Sequence, residues 1–198
     1  MKPFPLLALT VFWLISSALT PLHAKEQLEI KEYGLITPPA CIVDSNREIK
    51  VYPGTSEQIV NFGGFLAAAG DFEVGKDGGI VHEDRIYFDE SNMPFLHPLL
   101  QEFLFRHECA HVKLDHLDIP RTKRLGRYWD IEKGADCQAL LEMKQDSPDF
   151  SQEAESILQH FNLIANAIMP APPGKEAVKQ QFIDQRIANM RKCNAFQS

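Results

Sequence analysis

The chain has 198 residues, a formal net charge of -7 at pH 7 and 44% hydrophobic residues. This length is sufficient for one domain with its own hydrophobic core. The acidic balance, without any run of basic residues, argues against nucleic acid as a partner and is ordinary for a soluble secreted protein.

The first 24 residues have the pattern of a secretory signal peptide. A positive charge precedes an apolar run from Leu6 to Leu19, and Ala24 stands directly before a charged pair. The run is short for a membrane span, which favours cleavage over an uncleaved anchor. We place the cleavage after Ala24, with Ala18 as the alternative. Residues 25–198 are then the mature domain, without a further candidate span, in the periplasm or outside the cell.

The region between the signal peptide and the first long helix is predicted to form a small β-sheet. Its β-branched and aromatic runs are short and are separated by proline and glycine, as in strands joined by turns. One segment, Leu66–Ala69, instead suggests a short helical turn, and Gly75–Gly79 is a turn rich in glycine and charge. The predicted strands are Leu28–Ile30, Glu48–Tyr52, Gln58–Phe62 and Ile80–Asp89.

The second half of the chain is predicted to be helical, which gives an α+β fold. Apolar residues recur there at helical spacing, and Pro98 suits a first helical position. Residues 115–127 are polar and contain Pro120, so we expect a loop. The predicted helices are Pro98–Leu114, Ile131–Lys144, Ser151–Ala167 and Glu176–Arg191.

The first of these helices contains the motif His107-Glu108-x-x-His111. Residues four apart lie on one face of an α-helix, so both imidazoles can bind one metal ion. Glu108, the neighbour of His107, can then take a proton from a water molecule at the metal. Apolar residues surround the motif, which indicates a buried helix. The motif is short, so a metal site requires a third ligand.

Glu132 and Asp136 are the candidates for that ligand. They are also four apart and share a helical face, and Glu132 follows His111 by 21 positions, enough for a loop and a returning helix. One carboxylate can complete a site of two histidines and one carboxylate with an open position for water. The other can orient a metal-bound imidazole through its second nitrogen. A third histidine would need the pattern H-E-x-x-H-x-x-G-x-x-H, and His116 is one residue out of that register.

Four cysteines follow the signal peptide, and an even number in an exported chain predicts two disulfides with three possible pairings. A bond between Cys109 and Cys137 would join the two motif segments. However, Cys109 stands two residues from each motif histidine and so points away from the metal face. Cys193 can tie the last helix to the core. Reduced buried thiols are the alternative. The four residues are Cys41, Cys109, Cys137 and Cys193.

The two motifs together resemble the gluzincin metallopeptidases, most closely the exported bacterial branch related to the CAAX prenyl proteases. The similarity covers about forty residues and rests on an H-E-x-x-H motif followed by Glu132-x-x-Ala135-Asp136. It implies a Zn²⁺ ion bound by His107, His111 and Glu132. It further implies Glu108 as the general base and Asp136 as the partner of a zinc-bound histidine.

The resemblance also implies a zincin-like single domain, in which a small N-terminal sheet has an edge strand before the zinc helix. Arg85–Asp89 is in that position, and such an edge can bind an extended peptide through unpaired backbone groups. An ordinary sheet strand is the alternative. Near the C-terminus, the pair Arg186-Ile187 matches a final helix of the family, but Ala171 stands where the family often has a histidine.

These residues predict a zinc metallopeptidase outside the cytoplasm that hydrolyses peptides or unfolded proteins. Two alternatives stay open. One is a catalytically inactive zinc-binding chaperone or adaptor on the same scaffold, and the other is a chance motif in a buried helix without metal. His160, Tyr128 and Arg186 are secondary candidates for donating a hydrogen bond to the transition state. The remaining histidines are expected to be surface or packing residues: His82, His97 and His116.

Overall fold

A computed structural model of the chain describes residues 31–44, 46–61, 64, 66–76, 79–119, 121–147, 150–168, 174 and 176–196. The predicted signal peptide, its cleavage site and the predicted strand Leu28–Ile30 lie outside these residues. The strands are β1 (Cys41–Val43), β2 (Arg47–Gly54), β3 (Ala67–Lys76) and β4 (Gly79–Asp89). The helices are α1 (Ser56–Asn61), α2 (Pro98–Lys113), α3 (Arg121–Asp146), α4 (Phe150–Ile168) and α5 (Glu176–Arg191), with short 3₁₀ turns at Met93–Phe95 and Asn194–Phe196.

The strands form one mixed sheet in the order β1-β2-β4-β3. The pairs β1/β2 and β3/β4 are antiparallel, whereas β2 and β4 run parallel. The predicted strands Glu48–Tyr52 and Ile80–Asp89 are confirmed as parts of β2 and β4. With the helical second half, this sheet confirms the α+β class.

The expectation of an edge strand at Arg85–Asp89 is wrong. β4 pairs with β2 on one side and with β3 on the other, so this segment lies inside the sheet. The physical reason is that β3 pairs antiparallel with β4 along nearly all of its length, from Lys76 opposite Gly79 to Ala67 opposite Phe88. β3 is therefore the outer strand of the described sheet on that side.

Two shorter predictions are also wrong. Gln58–Phe62 was expected to be a strand, but α1 covers Ser56–Asn61. Thr55 and Gln58 form a capping box, in which Thr55 N donates to Gln58 Oε1 at 2.9 Å and Gln58 N donates to Thr55 Oγ1 at 3.3 Å. Leu66–Ala69, expected to be a helical turn, leads into β3, where pairing with β4 overrides the helix propensity of alanine.

The helices α2, α4 and α5 confirm their predictions within one residue at each end. Helix α3 differs, because it begins at Arg121 rather than Ile131 and replaces most of the loop predicted at 115–127. Proline is tolerated at the start of a helix, and the lysine, arginine and leucine that follow Pro120 are good helix formers. The turn between α2 and α3 is therefore short.

Helix α2 is the central element of the fold, since it contacts β1, β3, β4, α3 and α4. Phe105 of α2 packs edge-on against Phe88 of β4, with ring centroids 5.5 Å apart. On the opposite side, Phe103 and Leu104 join the core formed with α3 and α4. A helix covered on all sides buries polar residues along with apolar ones, and His107 is among them.

Two disulfides attach α2 and α3 to distant segments. Cys109 of α2 is bonded to Cys41 of β1, and Cys137 of α3 is bonded to Cys193 after α5. The predicted number of disulfides and the role of Cys193 are confirmed. A pair of disulfides is typical of a protein from an oxidising compartment. None of the helices in the described part of the chain has the length and apolar character of a membrane span.

Asp89, the last residue of β4, joins β4 to the start of α1 and to the segment that leads towards α2. Its side chain is buried and all its partners are donors: the backbone N–H groups of Ser91 and Asn92, the Ser56 hydroxyl and the Asn92 side-chain amide. Burial alone would raise the pKa of this carboxyl. The hydrogen bonds outweigh burial and hold the pKa below its ordinary value.

Asp89→Asn is expected to lower the free energy of unfolding at neutral pH by about 1–3 kcal/mol, because the amide nitrogen would face another donor. The folded pKa lies below the unfolded one. The contribution of the carboxylate is therefore complete above the unfolded pKa of about 3.9 and is lost as the pH falls through the folded value. Denaturant titrations near neutral pH and in acid would measure the difference, which should shrink in acid. Asp44→Asn, in an exposed turn, is the control, and equal losses in both variants would contradict the prediction.

Candidate metal centre

The two histidines of the motif converge on one point. His107 and His111 lie one turn apart on α2, and their Nε2 atoms are 3.1 Å apart. Both rings are on the same side of the helix because their positions differ by four. The side chain of His107 is 4% exposed and that of His111 is 12% exposed. The pair is therefore largely enclosed but reaches solvent on the His111 side.

Glu132 of α3 faces both rings. Its Oε2 lies 3.5 Å from His107 Nε2 and its Oε1 lies 3.5 Å from His111 Nε2. One ligand atom from each of the three residues lies within 4.8 Å of the others. Bonds of about 2.0–2.2 Å to a tetrahedral metal ion separate neighbouring ligand atoms by about 3.3–3.6 Å. The Nε2–Nε2 distance of 3.1 Å and the two 3.5 Å contacts, made by different oxygens of Glu132, lie near this range, so the three residues can hold a metal ion.

The electrostatics of the ring pair also favour a cation. Burial disfavours charge on His107, but the hydrogen bonds with Asp136 and Glu132 outweigh it and raise the pKa of His107 to about 10. Burial, with the neighbouring charge of His107, lowers the pKa of His111 to about 3. The carboxylates thus favour one extra proton, and so one positive charge, on the pair of rings. A divalent ion can replace that proton.

Asp136 lies behind His107. Its Oδ1 is 2.9 Å from His107 Nδ1, and its side chain is 1% exposed. Once a metal ion displaces the extra proton of His107, this contact keeps the remaining proton on Nδ1 and leaves the lone pair of Nε2 to the metal. Burial alone would raise the pKa of Asp136, but Arg186 and His107 hold that pKa well below its ordinary value.

Arg186 of α5 supplies the compensating positive charge. Its Nε donates to Asp136 Oδ2 at 3.0 Å and its Nη2 donates to Asp136 Oδ1 at 2.8 Å. The same Nη2 is 3.2 Å from Glu132 Oε2. Burial opposes the charge, but Asp136 and Glu132 outweigh burial and raise the pKa of Arg186 above its ordinary value. The guanidinium therefore serves two carboxylates of the site at once.

Glu108 lies beside this group and contacts the sheet. Its side chain is buried, and its Oε2 accepts a hydrogen bond from Ala69 N of β3 at 2.7 Å. Burial raises the pKa of Glu108, although the charge of His107 opposes the shift. A carboxylate with a raised pKa is a better proton acceptor near neutral pH.

The hydrogen bond from Ala69 N to Glu108 indicates that the backbone groups of Ala69 point away from β4. Asp89 N donates to Leu66 O at 2.8 Å. In an antiparallel ladder such bonded pairs alternate with pairs whose backbone groups point outward. Ala67, Ala69 and Asp71 are in the outward register, away from β4. Glu108 is therefore located at the outer edge of the described sheet.

Two further residues lie near the site: His116, which was expected to be a surface or packing residue, and Tyr128, which was a secondary candidate. The Nδ1 atom of His116 is 3.0 Å from that of His111, so His116 can orient the second ring from behind. Tyr128 precedes Glu132 by one helical turn, and the partial burial of its hydroxyl together with the charge of Glu132 raises the pKa of Tyr128 to about 12. Its hydroxyl is thus a neutral donor. The four-residue spacing between Tyr128 and Glu132 agrees with this position, whereas no local signal indicated His116.

The other histidines among the described residues lie away from the centre. His160, a secondary candidate for a catalytic role, stacks on His97 with ring centroids 4.2 Å apart. His97 caps the start of α2, ten positions and therefore about 15 Å along the helix from His107. His82 is on the surface of β4 beside Asp71. The prediction of surface or packing roles is confirmed for His82 and His97.

The purified protein is expected to bind one divalent metal ion per chain, because three ligand atoms converge at metal spacing. His107→Ala should abolish this binding, whereas His82→Ala, on the exposed hairpin, should not affect it. Elemental analysis after folding without chelators measures both. A folded wild-type chain that takes up no added metal, or an equal loss in both variants, would contradict the assignment.

Glu132→Ala is expected to weaken metal binding more than Asp136→Ala, because Glu132 faces both Nε2 atoms whereas Asp136 contacts only the far nitrogen of His107. Loss of a carboxylate behind a ligand typically costs about 10–100-fold in metal affinity. Competition with a coloured chelator ranks the two variants. The reverse order would exchange the two roles.

Comparison of the chain with models of known families, with curated proteins and with solved structures finds no match.

Proposed function

We propose that this protein is a zinc-dependent endopeptidase that acts outside the cytoplasm and is related to the gluzincin metallopeptidases. The observation that carries the proposal is the position of Glu108, which lies next to the three candidate metal ligands and is hydrogen-bonded to the outer strand of the sheet. A metal-binding group, a proton acceptor and an edge able to bind a peptide backbone are thus adjacent. The two disulfides support an oxidising compartment.

Zinc is the metal that this set of donors favours. Two imidazole nitrogens and one carboxylate oxygen, with a fourth position left for water, are typical of catalytic zinc. His107, His111 and Glu132 would hold the ion, and Asp136 would keep His107 in the binding tautomer. A bound zinc ion supplies Lewis acidity, which polarises a carbonyl group and lowers the pKa of water.

Glu108 moves the proton in the proposed reaction. The N–H of Ala69 holds Oε2 in place, and Oε1 accepts the proton of the attacking water. The pKa of Glu108, raised by burial, suits this exchange near neutral pH. Glu108 then gives the proton to the leaving nitrogen as the peptide C–N bond breaks.

The proposed substrate is an extended segment of a peptide or unfolded protein. The outward carbonyl group of Ala69 and the outward backbone groups of the exposed Asp71 can pair with such a segment as an added strand, next to Glu108. Tyr128 lies one helical turn before Glu132 and contacts the ring of Trp129, and these two residues are 41% and 42% exposed. Exposed rings of this kind suit the apolar side chains of an unfolded chain.

One observation favours a second function. Ala171 stands where the resembling family often has a histidine, and that histidine would be expected to assist the transition state. A zinc-binding chaperone or adaptor without hydrolytic activity is therefore the alternative. It would use the same strand edge and exposed rings to hold an unfolded chain without cleaving it.

Glu108→Gln is expected to keep the metal and the fold and to slow peptide hydrolysis by at least about 100-fold, because glutamine cannot accept the proton. Glu102→Gln is the matched control, since Glu102 lies on the same helix and pairs with Arg106 at 2.8 Å. Zinc content and cleavage of a permanently unfolded protein are measured on both variants.

Wild-type turnover in Glu108→Gln would disprove the role of Glu108. A wild-type protein that carries zinc and binds the unfolded chain without cleaving it would instead support the chaperone or adaptor.

A further inference from the structure

We propose that Arg186 is a positioning residue that decides which carboxylate oxygens remain available to a metal ion. Its guanidinium occupies both oxygens of Asp136 and one oxygen of Glu132, so that only one carboxylate of the two is left to act as a ligand. This inference rests on the metal site of the proposed function but not on hydrolysis. It therefore succeeds or fails independently of peptide cleavage.

The two carboxylates would otherwise compete for the same cation. Glu132 and Asp136 are one turn apart on α3, and both reach His107, Glu132 at Nε2 and Asp136 at Nδ1. Carboxylate oxygens are good ligands for divalent ions. Without a second positive charge, the ion would attract both side chains, and Asp136 could leave His107 to join it. The imidazole would then lose its orienting partner.

The contacts of Arg186 divide the oxygens unequally. Asp136 Oδ2 accepts from Nε and Asp136 Oδ1 accepts from Nη2, while Oδ1 also faces His107 Nδ1. Glu132 Oε2 lies 3.2 Å from Nη2 of the guanidinium, whereas Glu132 Oε1 faces His111 Nε2. Asp136 is thus fully engaged, whereas Glu132 retains an oxygen on the side of the two metal-facing nitrogens.

The planar fork of arginine is needed for this division. Two parallel N–H donors hold a carboxylate in one orientation, which the single ammonium group of lysine cannot do. The guanidinium is itself fixed, since it is 13% exposed and lies 5.2 Å from the centroid of the Phe161 ring. Contacts with α3 and α4 thus constrain its position.

The test compares Arg186→Met and Arg186→Lys with Arg191→Met in the full chain. Arg191 is the matched control, because it lies on the same helix and pairs only with the exposed Glu155 on the surface among the described residues. Zinc affinity is measured by competition with a chelator, and the ligand set is read from the visible absorption of the Co²⁺-loaded protein. Neither readout requires a substrate.

Arg186→Met is expected to bind zinc about 10–100-fold more weakly than the wild type. Its Co²⁺ absorption should become weaker, because an additional carboxylate ligand raises the coordination number. Arg186→Lys should lie between the wild type and Arg186→Met in both zinc affinity and Co²⁺ absorption, because lysine keeps the positive charge but lacks the pair of parallel N–H donors. Arg191→Met should match the wild type in both measurements.

Wild-type affinity and spectrum in Arg186→Met would overturn the proposal, and so would an equal change in Arg191→Met. Weaker binding with an unchanged Co²⁺ spectrum would also overturn it, because the ligand set would then not depend on Arg186. If Arg186→Met does not fold, Arg186→Lys is the deciding variant. A lysine variant identical to the wild type in both measurements would then overturn the proposal, because the paired donors of arginine would not be needed.

Discussion

A buried arginine between two carboxylates is the interaction on which the helical half of this protein depends. Asp136 is completely enclosed by the core, and a carboxylate in that position persists only with charged or hydrogen-bonding partners. Arg186 and His107 are those partners, and the three residues come from α3, α5 and α2. No helix of this trio can shift alone without leaving a charge unpaired. The contacts that compensate the buried charge are therefore also the contacts that align the candidate metal ligands.

The arrangement of the motif on α2 depends on neighbours on several sides of the helix. Successive residues of an α-helix point in directions about 100° apart. His107 consequently faces α3, Glu108 faces the outer strand, and Cys109 faces β1. Three consecutive residues thus connect the helix to three different elements. A surface helix with the same sequence could present the two histidines to a metal, but it could not also place Glu108 against a strand edge.

Spacing within single helices predicted much of the candidate site. The pair His107 and His111 and the pair Glu132 and Asp136 each lie four apart, and local geometry determines that each pair shares a face. Contacts between distant segments were not predictable in this way. The partners of Arg186, and the interior position of β4, depend on how whole elements pack. The capping box at Thr55 is a local signal that β-branched residues nearby obscured.

The two disulfides have a topological consequence for the covalent chain. They close separate loops, one over the 68 positions from Cys41 to Cys109 and one over the 56 positions from Cys137 to Cys193. A single backbone cut inside either loop leaves both new ends joined through sulfur. Between the first and last of these cysteines, only a cut in residues 110–136 would divide the protein into two pieces. In a compartment that contains other peptidases, this connecting stretch is the one place where a single nick could separate His107 from Asp136.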